Sequence, residues 1–303
     1  MFKAWAQLVR LPNVFTAPAD VIAGCALALI GFPGVWPWSI IQSVLLLCAA
    51  SVCFYAGGMV LNDVFDFDED SRDRPFRPLP SGRISRKPAL IVGLLLLASG
   101  VGLALLRLPL TTWWPHSLPV FLLPLFILGY NVGLKKTFLG PLTMGLCRGL
   151  NLLLGATIIP MLNPLAWWAA YTVTLYITGV TIIAHDETKQ GNKLNMQFGI
   201  GLISLSAISL TAMAMLFFIN HRENHFAAAF PLLFGGLVFI STMLRPAYRD
   251  PSPKNVGNAV KYCIFGLIIL ETIHVTFIVG FPGYALLLLL IPAVFLGRFI
   301  YST

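Results

Sequence analysis

The sequence has few charged residues, which make up 11% of its 303 residues, whereas soluble domains carry about 25%. Hydrophobic residues make up 57% of the chain, and the mean hydropathy is +0.83. These numbers exclude a water-soluble globular protein. They also exclude a disordered chain, because such chains are rich in charge and poor in apolar residues. The shortage of charge therefore indicates an integral membrane protein.

Cysteine and histidine are scarce as well. The five cysteines lie inside apolar runs without paired spacing, and the five histidines form no spaced set with them. Cysteines in such runs are interpreted as small buried hydrophobic side chains, in preference to disulfides or metal ligands. A zinc site is therefore not expected.

Long apolar runs are what the chain has in abundance. A helix of about 20 mostly apolar residues crosses a bilayer. Ten stretches of the sequence qualify: 14–32, 38–63, 88–107, 117–134, 141–160, 165–184, 194–219, 226–244, 256–280 and 283–301. No linker or low-complexity segment interrupts them. We therefore expect one integral-membrane domain over residues 1–303, built as an all-α bundle of nine to ten transmembrane helices.

The net charge of +8 is explained by topology and not by nucleic acid. With the N-terminus in the cytoplasm, sixteen of the twenty Lys and Arg residues fall in cytoplasmic segments, and two fall on the opposite side. The excess of positive charge on one side selects this orientation. Residues 1–13 carry Lys3 and Arg10 and are interpreted as an interfacial segment, since no signal-peptide cleavage pattern is present.

Half of the acidic residues are concentrated in one window. Six of the twelve lie between Asp63 and Asp73. On a helix, Asp63, Asp66 and Asp70 would lie within about 60° of one another. Hard carboxylate oxygens in such a group favour Mg²⁺, which commonly bridges carboxylates to phosphate oxygens. The alternative is a solvated acidic helix end that pairs with the arginines after it.

Those arginines suit a diphosphate, because guanidinium groups bind phosphate in a bidentate way. Arg72 and Arg77 are the candidates for holding it, and prolines together with Gly82 stiffen and turn the loop. A cytoplasmic loop is expected to be basic in any case. That alternative explains some of the arginines but not their position beside the acids.

The pattern Asn62-Asp63-x-x-Asp66-x-x-x-Asp70, followed by RPLPSGRIS at 77–85, resembles the first signature of the UbiA superfamily of intramembrane prenyltransferases. The resemblance implies an all-helical bundle around a central cavity. It also implies that Asn62 and the three aspartates bind Mg²⁺ and the diphosphate of a polyprenyl donor. Ionisation of the donor would give an allylic electrophile, which an acceptor then captures within the membrane.

Three further residues, outside the first motif, each resemble a single position of the family. Tyr130 and Lys135 resemble its tyrosine and lysine after the fourth span, where lysine stabilises the departing diphosphate. The alternative for Lys135 and Lys136 is that both are ordinary positive-inside anchors. Arg148 lies inside the fifth span with Asn151. We expect it to serve the cavity by binding the diphosphate, or to form a structural ion pair near it.

The second acidic motif departs from the family pattern. Asp186 is in place, and Lys189 and Lys193 would help to hold the diphosphate, but Gln190 and Asn192 stand where the family has acids. Amide oxygens can coordinate Mg²⁺ without supplying charge. We therefore expect a second metal site to be weak or absent.

Other ionisable residues also fall within the spans. Asp20 is a candidate both for the cavity and for a hydrogen bond between helices. Glu271 and His274 lie three residues apart on one helix face, and we interpret them as a structural pair.

Residues 11–20 and 140–151 resemble the EboC-type branch of UbiA-like proteins, which belong to bacterial clusters. We therefore expect a bacterial inner membrane, with the acidic motifs on the cytoplasmic side. The sequence carries no motif that identifies the acceptor. The alternative function is a UbiA-like lipid-handling, metabolite-handling or transport protein with weak or no transferase activity. A phosphatidyl-type alcohol transferase is disfavoured because its glycine and alanine-arginine signature is missing.

Overall fold

The computed structural model describes residues 1–30, 36–107, 117–160, 163–185, 192–220 and 225–300. Every regular element in these ranges is helical, which confirms the predicted all-α fold. The α-helices are α1 (Phe2–Leu8), α2 (Leu11–Val14), α3 (Thr16–Ala28), α4 (Trp38–Phe65), α5 (Phe67–Asp73), α6 (Arg86–Leu105), α7 (Leu118–Val132), α8 (Gly140–Ala156), α9 (Pro164–Ala184), α10 (Lys193–Asn220), α11 (Phe226–Arg249), α12 (Pro253–Val279) and α13 (Leu290–Leu296). Two 3₁₀ segments span Leu134–Lys136 and Phe281–Leu289.

The helices have the lengths that an integral membrane protein requires. Seven stretches of helix in the described ranges are long and apolar enough to cross a membrane: Leu11–Ala28, Trp38–Phe65, Arg86–Leu105, Pro164–Ala184, Lys193–Leu216, Ala227–Arg249 and Pro253–Val279. Two shorter apolar stretches span Leu118–Val132 and Phe281–Leu296. The count of nine to ten crossings stays a prediction.

The predicted last span is not one continuous α-helix. Gly280 has a φ of +70°, a conformation that favours glycine, and it ends α12. The chain then continues as the 3₁₀ segment before the short α13 begins. The expected uniform span over 283–301 is therefore corrected to a 3₁₀ segment of nine residues followed by about two turns of α-helix.

Proline and asparagine set several of the helix starts. A proline stands in the first turn of α7, α8, α9 and α12, where its missing N–H group would have no helical partner. The Asn163 side chain caps α9 by accepting hydrogen bonds from the amides of Leu165 and Ala166. These signals are local, and they explain why the helices begin close to the predicted span starts.

The N-terminal span α3 lies at the centre of the bundle and packs against α4, α8 and α12. Small residues allow the close approach between α3 and α8. A Cβ atom on Gly24 would overlap the carbonyl oxygen of Leu152, and one on Gly155 would overlap the carbonyl oxygen of Val21. Close packing at small residues is the usual basis of helix association in membranes.

Replacing Gly24 by alanine therefore forces α3 away from α8. We expect Gly24→Ala to lower stability by about 1–3 kcal/mol, the usual cost of overpacking, measured as the thermal unfolding midpoint in detergent. Gly102→Ala on α6 is the matched control, because a Cβ atom there meets nothing within 4 Å. The control should hold or raise the midpoint, since alanine has the higher helix propensity. Equal midpoints for the two variants would contradict the close α3–α8 contact.

Candidate functional site

The acidic window lies at the junction of two helices. α4 ends at Phe65 and α5 begins at Phe67, so the expected single helix through the three aspartates is interrupted at Asp66. Helical hydrogen bonds nevertheless continue through the junction. The Asp66 amide donates to the Asn62 carbonyl (2.9 Å), and the Asp70 amide donates to the Asp66 carbonyl (2.8 Å). The three carboxylates therefore keep close to their helical spacing.

The loop between α5 and α6 is anchored by apolar side chains. Leu79 and Ile84 are buried in one cluster with Val64 of α4. Gly82 has a φ of +73° and turns the chain between these two anchors. The Ser81 hydroxyl donates to the Arg77 carbonyl (2.6 Å) and tightens the turn that carries this arginine. The apolar anchors thus hold the arginine-bearing loop against the helix junction.

Arg77 bridges two of the buried carboxylates. Its side chain is 8% exposed, and its Nη1 donates to Oδ2 of Asp70 (2.8 Å) and lies 3.5 Å from Oδ1 of Asp63. The Asp63 and Asp70 side chains are themselves only 6% and 4% exposed. The structure therefore brings Arg77 directly to the carboxylates, as predicted. Arg74 adds a longer contact, with its Nη1 3.7 Å from Asp70 Oδ1.

Lys135 reaches the third aspartate from the other side. Its Nζ lies 2.6 Å from Oδ1 of Asp66 and donates to Oδ1 of Asn62 at 3.3 Å. Its neighbour Lys136 is largely exposed and lies 3.7 Å from Glu69. The two adjacent lysines therefore differ in burial and in their partners. Lys135 belongs to the carboxylate cluster, whereas Lys136 fits the alternative of a surface anchor.

Arg10, like Arg74, contacts the carboxylates but was not among the residues predicted from the sequence. Its Nη2 lies 3.8 Å from Oδ1 of Asp63, and its backbone is left-handed (φ 49°), which turns the chain between α1 and α2. The positive-inside orientation already placed Arg10 on the same side as the acidic window. This shared side of the membrane was the sequence feature that could have identified Arg10.

Several predicted site residues are not brought to the cluster. Arg72 is exposed, and its Nε donates to the carbonyl of Asp68. Lys193 is exposed on the first turn of α10. Asp186 and Lys189 lie outside the described residues. Their proposed roles stay predictions.

The oxygen ligands of the cluster suit Mg²⁺ chemically, but they are already paired with basic side chains. In the described ranges, no three acidic, histidine or cysteine side chains are grouped closely enough to hold a metal by themselves. Asp63 Oδ1 is nevertheless buried and accepts no hydrogen bond, and such an oxygen is available to a cation. Together with the other carboxylates and the Asn62 amide oxygen it supplies the hard ligands that Mg²⁺ prefers. A metal ion would have to take over from Arg77 and Lys135.

A small cavity lies next to the cluster, deeper in the bundle. Its volume is about 70 Å³. It is lined by Ala17, Ser51, Phe54, Tyr55, Gly58, Met59, Leu123, Ile127, Tyr130, Asn131, Met144, Cys147, Arg148 and Asn151. Gly58 precedes Asn62 by about one helical turn on α4, so the cavity adjoins the carboxylates. Tyr130 lines this cavity near the end of α7, and its role towards the diphosphate stays a prediction.

Arg148 lines this cavity but is directed towards α3. Its Nη2 donates to the Thr16 carbonyl (2.8 Å) and to the Asp20 carboxylate (3.0 Å). Asn151 donates to Asp20 (2.9 Å) and accepts from Ser51 (2.7 Å). Its predicted contact with the diphosphate stays a prediction. Among the two roles expected for it, the structure supports a buried ion pair at the edge of the cavity.

Glu271 and His274 also form the pair expected from their spacing. His274 Nδ1 lies 3.1 Å from Glu271 Oε2, and both side chains are fully buried. The pair lies on α12, which packs against α3.

Comparisons with known proteins agree with this geometry. The model of the UbiA prenyltransferase family matches residues 21–259. A digeranylgeranylglyceryl phosphate synthase of Sulfurisphaera tokodaii is 30% identical over 209 residues, which cover 65% of this chain and 70% of that protein. Another, from Ignicoccus hospitalis, is 34% identical over 155 residues, covering 51% and 46% respectively.

Solved structures show the same fold. A UbiA homologue from Archaeoglobus fulgidus bound to GPP and Mg²⁺ has a TM-score of 0.68 at 13% identity, covering 94% of this chain and 99% of that one. The structure of a digeranylgeranylglyceryl phosphate synthase has a TM-score of 0.62 at 22% identity, covering 92% and 99%. These relatives with stated organisms are archaeal, so they lend no support to the expected bacterial membrane.

The buried Asp20–Arg148 pair generates a stability prediction. Arg148→Gln leaves the Asp20 carboxylate buried without its cation, and we expect a loss of about 3–5 kcal/mol. Adding Asp20→Asn removes the unpaired charge and should recover a large part of that loss, as measured by unfolding in detergent. If the two single losses simply add in the double variant, the two side chains are not coupled.

Proposed function

The chain belongs to the UbiA prenyltransferase family, and from its site we propose that it moves a prenyl group from a polyprenyl diphosphate to an acceptor inside the membrane. One observation carries this proposal. Arg77 and Lys135, which lie far apart in the sequence, converge on Asp63, Asp66 and Asp70 beside a cavity. Carboxylates and cations in one cluster suit a metal–diphosphate complex.

The basic side chains would hold the diphosphate. In the absence of substrate, Arg77 and Lys135 pair with the three carboxylates. A diphosphate offers the same side chains stronger, partly bidentate partners. Asn62, Asp63, Asp66 and Asp70 would then hold Mg²⁺, with Asp186 approaching from the second motif. When bound, Mg²⁺ supplies positive charge that offsets the charge of the diphosphate.

The reaction breaks the bond between the first prenyl carbon and the diphosphate oxygen, and the electron pair leaves with the diphosphate. Lys135 would stabilise the charge that develops on this leaving group. The cavity beside Tyr130 would shelter the allylic cation from water. An acceptor nucleophile then forms the new bond to carbon and releases a proton.

The acceptor is best sought among isoprenoid glycerol phosphates. The similar proteins from Sulfurisphaera tokodaii and Ignicoccus hospitalis bear the name digeranylgeranylglyceryl phosphate synthase, which supports this class as the first to test.

We also propose that the site faces the cytoplasm, because the positively charged segments lie on its side of the bundle. The alternative is a lipid-handling or transport protein that binds the donor without turnover, favoured by the amides Gln190 and Asn192 in the second motif.

Lys135 and Lys136 offer a matched pair for testing the site. We expect Lys135→Gln to lower kcat by about 10²–10³-fold, the usual effect of losing a group that stabilises developing charge. Lys136→Gln should stay within about twofold, because its side chain is exposed and its one ion pair among the described residues is a long contact with Glu69. Transfer from radiolabelled geranylgeranyl diphosphate to geranylgeranylglyceryl phosphate measures both. Equal losses for the two lysines would contradict the assignment of Lys135.

The aspartates are tested by a double substitution. Asp63→Asn combined with Asp66→Asn removes two carboxylates without changing side-chain size, and we expect prenyl transfer to fall below detection. Asp68→Asn is the control in the same window, since that residue is exposed. Prenyl transfer that persists in the double variant would contradict the proposed function. Donor binding without turnover by the unmodified protein, across a series of acceptors, would favour the alternative.

A further inference from the structure

A second, larger cavity lies on the other side of the bundle. Its volume is about 770 Å³, and its walls come from α9, α10, α11 and α12. None of its lining residues belongs to the carboxylate cluster or to the first cavity. Most of them are aliphatic or small, among them Ile200, Leu210, Leu233 and Ile269. We call it the lateral groove.

The packing of the helices explains the groove. α10 packs mainly against α9, whereas α11 packs mainly against α12, and α10 and α11 make only limited contact with each other. Gly201, Gly236 and Gly266 line the resulting space. A Cβ atom on Gly201 would meet nothing within 4 Å. The space between α10 and α11 is therefore open along the side of the bundle.

One end of the groove is polar and cationic. Gln197, Arg245 and Tyr248 line it. Gln197 lies about one turn after the start of α10 at Lys193, and Arg245 lies about one turn before the end of α11 at Arg249. The two helices are antiparallel, so both residues are at the membrane face that carries these basic helix ends. From Arg245 to Leu233 the groove runs about 18 Å along α11.

Arg245 has no partner in the described part of the chain. Its side chain is exposed and makes neither an ion pair nor a hydrogen bond with any described residue. Other basic residues of this protein at the same face, such as Arg77 and Lys135, are paired with carboxylates. An unpaired guanidinium at the mouth of an apolar groove is complementary to an anion that carries a hydrocarbon chain.

We propose that the lateral groove binds a bilayer lipid with an anionic phosphate headgroup. The hydrocarbon chains lie between α10 and α11, and the phosphate contacts Arg245, with Tyr248 and Gln197 as additional hydrogen-bond donors. Guanidinium groups bind phosphate in a bidentate way, and basic side chains near a membrane surface attract anionic lipids. The charge of Arg245 selects an anionic headgroup over a zwitterionic one.

The test counts retained lipids by native mass spectrometry. The full-length protein is reconstituted with equal amounts of phosphatidylglycerol and phosphatidylcholine, then stripped stepwise with detergent. The unmodified protein should retain one phosphatidylglycerol in preference to phosphatidylcholine. Arg245→Gln should lower this retention at least about tenfold, as expected for the loss of a charge-assisted phosphate contact. Arg249→Gln is the matched control, because Arg249 does not line the groove, and it should retain the lipid.

A second pair of variants tests the apolar part. Gly201→Leu fills the groove from within and should also abolish retention. Gly235→Leu should not, because a Cβ atom at Gly235 likewise meets nothing within 4 Å and that residue does not line the groove. Both variants replace a helical glycine by a better helix former, so we expect neither to weaken its helix.

Three results would overturn the proposal. One is equal retention of the two phospholipids by the unmodified protein. Another is normal retention in Arg245→Gln or Gly201→Leu. The third is displacement of the lipid by added geranylgeranyl diphosphate, which would make the groove part of the donor site. The lipid count requires no turnover, so its outcome is independent of the proposed transferase reaction.

Discussion

The ion pairs of Asp63 and Asp70 with Arg77 are the interaction on which the site depends. A carboxylate removed from water without a cation costs several kcal/mol, and these two are nearly completely buried. Arg77 pairs with both, Arg10 and Arg74 add longer contacts to them, and Lys135 pairs with the half-buried Asp66 beside them. Arg77 and Lys135 are also the cations that a diphosphate requires. In the proposed function, Arg77 and Lys135 would leave the carboxylates to bind the diphosphate, and the carboxylates would then hold the metal.

The fold serves to bring these groups together. Asp63 is carried by a long apolar helix, Arg77 by a loop and Lys135 by the turn after α7. Buried Leu79 and Ile84 fix the loop against α4, so apolar packing determines where the charges lie. The central α3 completes the arrangement, because Asp20 holds Arg148 at the edge of the inner cavity.

Much of this architecture could be predicted from the sequence, since apolar length and charge placement reveal transmembrane helices directly. Asp63, Asp66, Asp70 and Arg77 could be predicted because they share one spaced motif, and Lys135 because it matches the lysine of the resembling family after the fourth span. The rest depends on contacts across the bundle. A short motif carries no sign that Arg10 approaches the acidic window, or that Arg148 pairs with Asp20 of α3. Hydrophobic length likewise carries no sign of the break at Asp66 or of the 3₁₀ segment that follows Gly280.

If the cations and carboxylates exchange partners on binding, Mg²⁺ and diphosphate must strengthen each other. Isothermal titration of the protein in detergent with geranylgeranyl thiodiphosphate, a donor that reacts slowly, measures this coupling directly. We predict that the affinity for the analogue is at least about tenfold higher with saturating Mg²⁺ than in the presence of a chelator, a coupling of about 1.4 kcal/mol or more. Equal affinity with and without Mg²⁺ would contradict a shared metal–diphosphate site.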